Sequence, residues 1–228
     1  MGVDNFYLRE ISNVMETYPS CRGRMTCLGY PDLLVDLPLV ADLFGDHLAQ
    51  DLPIDPRQDQ IRSWHNFRGD VYDSLVLFSR LGYQVTVLDK ISHRGLETLI
   101  DLNDELPQHL YGSADLVIDT GTLEHCFNVG TAFKNMCELV GVGGLIMTAA
   151  PANKLGHGYY NFCDNVYHDG FKTNGFEIIS VKLLDGRYRE ITPVPTKKIG
   201  PPPKSIWLCV ARRVESRAWR WPVQGAYL

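Results

Sequence analysis

Apolar positions along the chain follow two periods, one helical and one extended. Tyr7, Ile11, Val14 and Tyr18 share a face at helical spacing, predicting an amphipathic opening helix that Pro19 helps to end. Met25 to Leu28 form a short apolar run stopped by Gly29, Tyr30 and Pro31, which reads as a buried first strand meeting a turn. The stretch from Asp51 to Asn66 is polar, carries two prolines and lacks a clear period, so a long loop or lid is expected there. Asp70 is a candidate N-cap for a helix with Val71, Leu75 and Phe78 inward, closed by Gly82. Strands are then predicted at Val85 to Leu88, Leu116 to Asp119, Leu145 to Thr148, Phe176 to Val181 and Ile206 to Val210. Helices fall between them, one with Val129, Phe133, Met136 and Val140 on a face and a Gly141, Gly143, Gly144 exit turn, another from Asp164 to Asn174.

Alternation of strand and helix argues for a doubly wound, mainly parallel α/β sheet covered on both faces, and 228 residues suit one domain spanning 1–228. Within it, 44–66 reads as a lid or insertion and 212–228 as a tail that docks on the body or on a second copy, so a homo-oligomer is open. The proline-rich TPVPTKKIGPPPK reads as a semi-rigid loop. A net charge of -5 lacks the basic field that phosphate backbones require, so nucleic acid is not an expected partner, the Arg212, Arg213, Arg217 and Arg220 region being the local exception. With no apolar run of membrane-spanning length and no leader pattern, a cytoplasmic protein is expected. The six cysteines are scattered without a CxxC pair and read as buried thiols.

Ligands of open α/β sheets bind beyond the carboxyl ends of the strands. Four such places are polar here: Gly29 to Asp32, Asp89 with Lys90, Asp119 to His125, and Pro151 to Asn153. Asp89 could accept both hydroxyls of a ribose or cap a turn; Asp119 could serve a ligand or accept N–H bonds from the Thr120 to Thr122 turn. His125 and His157 are the candidate bases, both in loops expected at the same end and therefore facing one cavity, and Glu124 could orient an acceptor or cap the following helix. Tyr159, Tyr160 and Phe162 could wall a substrate pocket or belong to the core. His47, His65, His93, His109 and His168 show no metal-ligand spacing, and no metal is expected. Neither a GxSxG elbow nor a GxxxxGK[ST] loop is present.

Asp89 at a strand end, DLNDELP from Asp101 to Pro107, ADLVIDTGTLEH from Ala114 to His125, and VGGLIMTAAP from Val142 to Pro151 together resemble successive motifs of class I S-adenosylmethionine-dependent methyltransferases. GHGYYNFCDNVYHDGFKTNGFE is similar to a bacterial methyltransferase-like subgroup. The resemblance, which runs from Gly82 to Ile179, implies a seven-stranded Rossmann-like sheet and methyl transfer from S-adenosylmethionine to a small molecule, at oxygen. It also implies that Asp89 and Lys90 meet the ribose, that Asp101 and Leu102 flank adenine, and that Gly29 with Asp119, Thr120 and Gly121 line the methionine end. The chain departs from the family at LGYPDLL, where a GxGxG turn is usual and only Gly29 remains. Two other readings stay open: a non-catalytic protein that kept the fold, and a nicotinamide oxidoreductase, although the latter's GxGxxG is missing.

Overall fold

The computed structural model describes residues 2–192 and 200–225. Its centre is a seven-stranded sheet built from β2 (Arg24–Leu28), β4 (Gln84–Asp89), β5 (Thr98–Leu99), β6 (Ala114–Thr120), β7 (Val140–Asn153), β8 (Phe176–Leu184) and β9 (Ser205–Arg213), in the order β5-β4-β2-β6-β7-β9-β8. Pairings from β5 through β7 are parallel; β9 runs antiparallel to both β7 and β8. A separate small ladder joins β1 (Gly2–Asp4) to β3 (Asp32–Leu34) in parallel. The helices are α1 (Asn5–Thr17), α2 (Leu37–Phe44), α3 (Asp46–Ala49), α4 (Gln58–His65), α5 (Ser74–Arg80), α6 (Val129–Leu139) and α7 (Asp164–Thr173).

Strand side chains point alternately to opposite faces, so each strand feeds two cores. Met25, Cys27, Leu116, Ile118, Leu145 and Met147 join the core under α1, α2 and α5. Leu28, Leu88, Val117 and Ile146 join the second core, under α6 and α7, with Phe133, Met136, Tyr167 and Phe171. Asp4 starts α1 by accepting from Phe6 and Tyr7 N–H, and Tyr7, Ile11 and Val14 are buried as their spacing predicts, while Tyr18 caps the end.

Several expectations need correction. The predicted loop from Asp51 to Asn66 contains α4, whose Ile61 is fully buried, and Arg80 holds the approach to it through the carbonyls of Leu48, Gln50 and Asp51. The cap of α5 is Asp73, which accepts from Leu75 and Val76 N–H, whereas Asp70 pairs with Arg62. The glycines after α6 already belong to β7, where Gly143 at φ +91° interrupts the extended backbone; Arg213 fixes this junction by donating to the carbonyls of Cys137 and Val140. Arg213 is thus a buried structural cation rather than part of a basic surface. Within the segment expected to be a tail, the Arg220 backbone pairs with Asn174 and Trp219 lies against Phe133. Within the proline-rich segment, residues 193–199 lie outside the described residues. All six cysteines are free thiols, and only Cys163 is exposed.

Candidate functional site

The carboxyl ends of β2, β4, β6 and β7 meet along one edge of the sheet, and two groups of polar side chains stand there. The first surrounds β6 and β7. Asp119, fully buried at the end of β6, accepts from Gly121 N–H, Thr122 N–H and the Thr148 hydroxyl, and so shapes the turn that follows. Burial pushes its carboxyl up to about 6 against those bonds. The turn delivers Glu124 inward, at 1% exposure, with Oε1 3.3 Å from His157 Nε2 and 3.9 Å from His125 Nε2. The imidazole rings of His125 and His157, on loops after adjacent strands, meet edge to face with 5.1 Å between centroids.

Gly158 makes this approach possible. Tyr159 N–H donates to the Glu124 carbonyl at 2.8 Å, and a Cβ on Gly158 would sit 2.8 Å from that carbonyl oxygen. Lys154 closes the group, its Nζ 3.4 Å from His157 Nε2. Burial, followed by the nearby Asp119 charge, pushes Glu124 up to about 8, and burial lowers both histidines and Lys154. Near pH 7 the imidazoles are therefore neutral, and their contacts with Glu124 are polar rather than ionic. Glu124, Lys154, His157, Tyr7, Thr120 and Gly121 border a cavity of about 50 Å³. Thr120 itself donates to the Gly2 carbonyl.

The second group lies at β2 and β4. Gly29, at φ +82°, donates to the Leu88 carbonyl, a turn that its missing Cβ permits. Tyr30 next to it is buried, and the Arg94 guanidinium lies 3.5 Å over its ring. Arg94 also reaches Asp32 at 2.5 Å and Asp55 at 3.4 Å, while His65 holds the other Asp32 oxygen at 2.9 Å. Burial would raise the Asp32 carboxyl, but the His65 hydrogen bond and the Arg94 charge hold it below its usual range. Asp89, half-buried at the end of β4, accepts only from Ile91 N–H among the described residues. Lys90 pairs with Asp101 at 2.6 Å, and that bond, with those from Asn103, lowers Asp101 to about 2. Leu102 is buried in the second core.

No family model matches the chain, and no curated protein matches it in sequence. Solved structures do. TehB from Haemophilus influenzae aligns over 90% of this chain at 16% identity with a TM-score of 0.50, and the alignment spans 62% of TehB, under two thirds of its length. The Burkholderia thailandensis 1,6-didemethyltoxoflavin-N1-methyltransferase, solved with 1,6-didemethyltoxoflavin and S-adenosylhomocysteine, aligns over 91% of this chain and 78% of its own at 12% identity and a TM-score of 0.49. The [4+2]-cyclase SpnF aligns over 90% and 80% at 13% identity and a TM-score of 0.48. Together with the strand order and the single reversed strand β9, the TehB likeness decides the architecture. This is the class I methyltransferase fold. Identity this low speaks for the fold alone.

Set in the class I methyltransferase fold, the candidate residues divide. Asp89, Lys90 and Asp101 stand together at the β4 and β5 ends, and an Asp89 oxygen without a partner among the described residues suits a ribose hydroxyl. Gly29 holds a positive φ as a glycine turn requires, but Tyr30 and Arg94 fill the space where further glycines would leave room. Leu102 and Asp119 are committed elsewhere, the first to the core and the second to its own turn, so neither is free to meet a ligand through its side chain. Tyr160 donates to the Phe127 carbonyl and Phe162 is core; the aromatic run walls a 440 Å³ apolar cavity beneath the tail, which none of Glu124, His125 and His157 borders. Lys154 and Arg94 were not foreseen. Lys154 follows the polar Pro151 to Asn153 segment directly, a signal that extending that segment by one residue would have caught; nothing local marks Arg94.

Proposed function

We propose that the chain transfers a methyl group from S-adenosylmethionine to an oxygen of a small-molecule acceptor. The observation that carries this reading is the shared edge itself: an Asp89 carboxylate at the end of β4 with one oxygen unpartnered among the described residues, and a histidine pair with a buried carboxyl group at the ends of β6 and β7, in a fold of class I order. Asp89 would accept the ribose hydroxyls, with Lys90 and Asp101 beside it and Gly29 and Gly121 offering backbone approach. Bound there, the cofactor would supply an electrophilic methyl on sulfur for transfer to the acceptor oxygen. The neutral nitrogens of His125 and His157 present lone pairs to an acceptor hydroxyl and relieve it of its proton, while Glu124 orients them. Positioning provides much of the remaining acceleration.

Calorimetric titration with S-adenosylhomocysteine tests the reading; saturable one-to-one binding is expected. One observation favours a second reading, a protein that keeps the fold without the chemistry: the Tyr30 and Arg94 stack beside the single glycine of the β2 turn. Absence of binding at millimolar ligand would replace the first reading with the second.

A further inference from the structure

Glu124 Oε2 is buried and makes no hydrogen bond among the described residues, although its partner oxygen faces two imidazoles. A buried carboxyl oxygen without a hydrogen-bond partner is costly, and a bound cation would offset that cost by giving the group a counter-charge in place of its proton. One ligand atom each from Glu124, His125 and His157 can be chosen so that all lie within 4.8 Å of one another. Donors around a tetrahedral zinc at about 2.1 Å stand about 3.4 Å apart, so the 3.3 Å edge from Glu124 to His157 is in place and the 3.9 Å edge to His125 needs a small rotation. His157 lies far from the other two in sequence, and the hydrogen bond from Tyr159 N–H to the Glu124 carbonyl brings it to them.

We propose that Glu124, His125 and His157 bind one divalent transition-metal ion, with an open coordination position toward the cavity bordered by Tyr7, Gly121 and Lys154. Two imidazoles select zinc, cobalt or iron over magnesium or calcium, and three protein ligands are the arrangement that leaves room for an exchangeable fourth. Lys154 is the group that opposes the ion, since its Nζ sits against the His157 nitrogen that would donate. Resting on the methyl-transfer reading, with His125 and His157 holding the ion in place of acting as bases, the open position would take the acceptor oxygen, and coordination would acidify its hydroxyl so that the proton leaves to water. The acceptor class is then a hydroxyl compound whose oxygen can ligate the ion.

The test is titration of chelator-stripped full-length protein with Zn²⁺ and Co²⁺. One ion per chain is expected, with the visible absorption of low-coordinate cobalt. Glu124→Gln and His157→Ala, shown folded by circular dichroism, should each weaken Zn²⁺ by roughly 100-fold or more, and Lys154→Met should tighten it. Acetohydroxamate should shift the cobalt spectrum through the open position. Absence of stoichiometric binding, or equal affinity in both ligand variants, overturns the site; an unshifted spectrum overturns the open position. S-adenosylhomocysteine titrated in EDTA separates the two readings. Binding there without any metal site removes this inference alone, whereas a metal site without cofactor binding removes methyl transfer and keeps the ion.

Discussion

The Arg94 guanidinium lies over the Tyr30 ring, 3.5 Å from its centroid, and from that position it faces two buried carboxylates, Asp32 and Asp55. One cation thereby joins the turn after β2 to the loop after β4. Removing it should leave both carboxylates short of a cation, with His65 remaining on Asp32 and the Arg57 N–H on Asp55. Arg94→Met is expected to destabilise the fold by about 3–5 kcal/mol, read by urea unfolding. A loss below about 1 kcal/mol would show that the stack is not holding the two loops together.

At the cofactor end, Asp89→Ala should weaken S-adenosylhomocysteine by roughly 1.5–3 kcal/mol for each ribose hydrogen bond lost, while the melting temperature stays near that of the parent protein. Unchanged affinity would remove Asp89 from the site.

Asp119 carries a pH signature. Its folded value of about 6 lies above the roughly 3.9 of an unfolded aspartate, so between those values the folded state holds more protons. Stability should therefore fall as pH rises from about 4 to about 6, by about 3 kcal/mol from this group, and stay lowered above that. Asp119→Asn should flatten the slope in a series of urea titrations across the window. A slope of the same size in the variant would assign it to other groups.

Gly158→Ala should push the His157 loop off the Glu124 carbonyl, since the new Cβ would lie 2.8 Å from that oxygen. Turnover on an identified acceptor should drop by about 10² or more, with cofactor affinity nearly intact. Full activity in this variant would separate His157 from the chemistry.

Negligible binding of DNA or RNA at physiological salt is expected, because the net charge is -5 and the one basic cluster loses Arg213 to the core. Fluorescence anisotropy with and without residues 217–228 would decide it; tight, salt-sensitive binding would contradict the charge argument.

The unbroken apolar runs at Leu116 to Ile118 and at Leu145 to Met147 are local information, and they marked the central strands correctly because each face has its own core. The helix α4 escaped notice because its buried surface rests on Ile61 alone, too little for a period to show. Asp70 and Asp73 are equivalent as cap residues on paper, and only the partner Arg62 tells them apart. Convergence of His125 and His157 followed from strand order, whereas their ligand-like geometry with Glu124 did not, because spacing rules read donors on one element and this trio spans two loops. The Arg94 stack was hidden for the same reason: its partners Tyr30 and Asp32 lie on one stretch of chain and Asp55 on another, both far from Arg94, and no window of sequence contains them.

The reversed strand β9 has a consequence for how the protein is made. It lies between β7 and β8, so β8 has no sheet neighbour until the chain has been extended through Arg213. At about 5–20 residues per second, synthesis of the stretch from Asp185 to Arg213 takes roughly 1.5–6 s. Over that interval the nascent chain presents the outer edge of β7 and the whole of β8 unpaired, and the last nine-residue strand to leave the ribosome is the one that closes both.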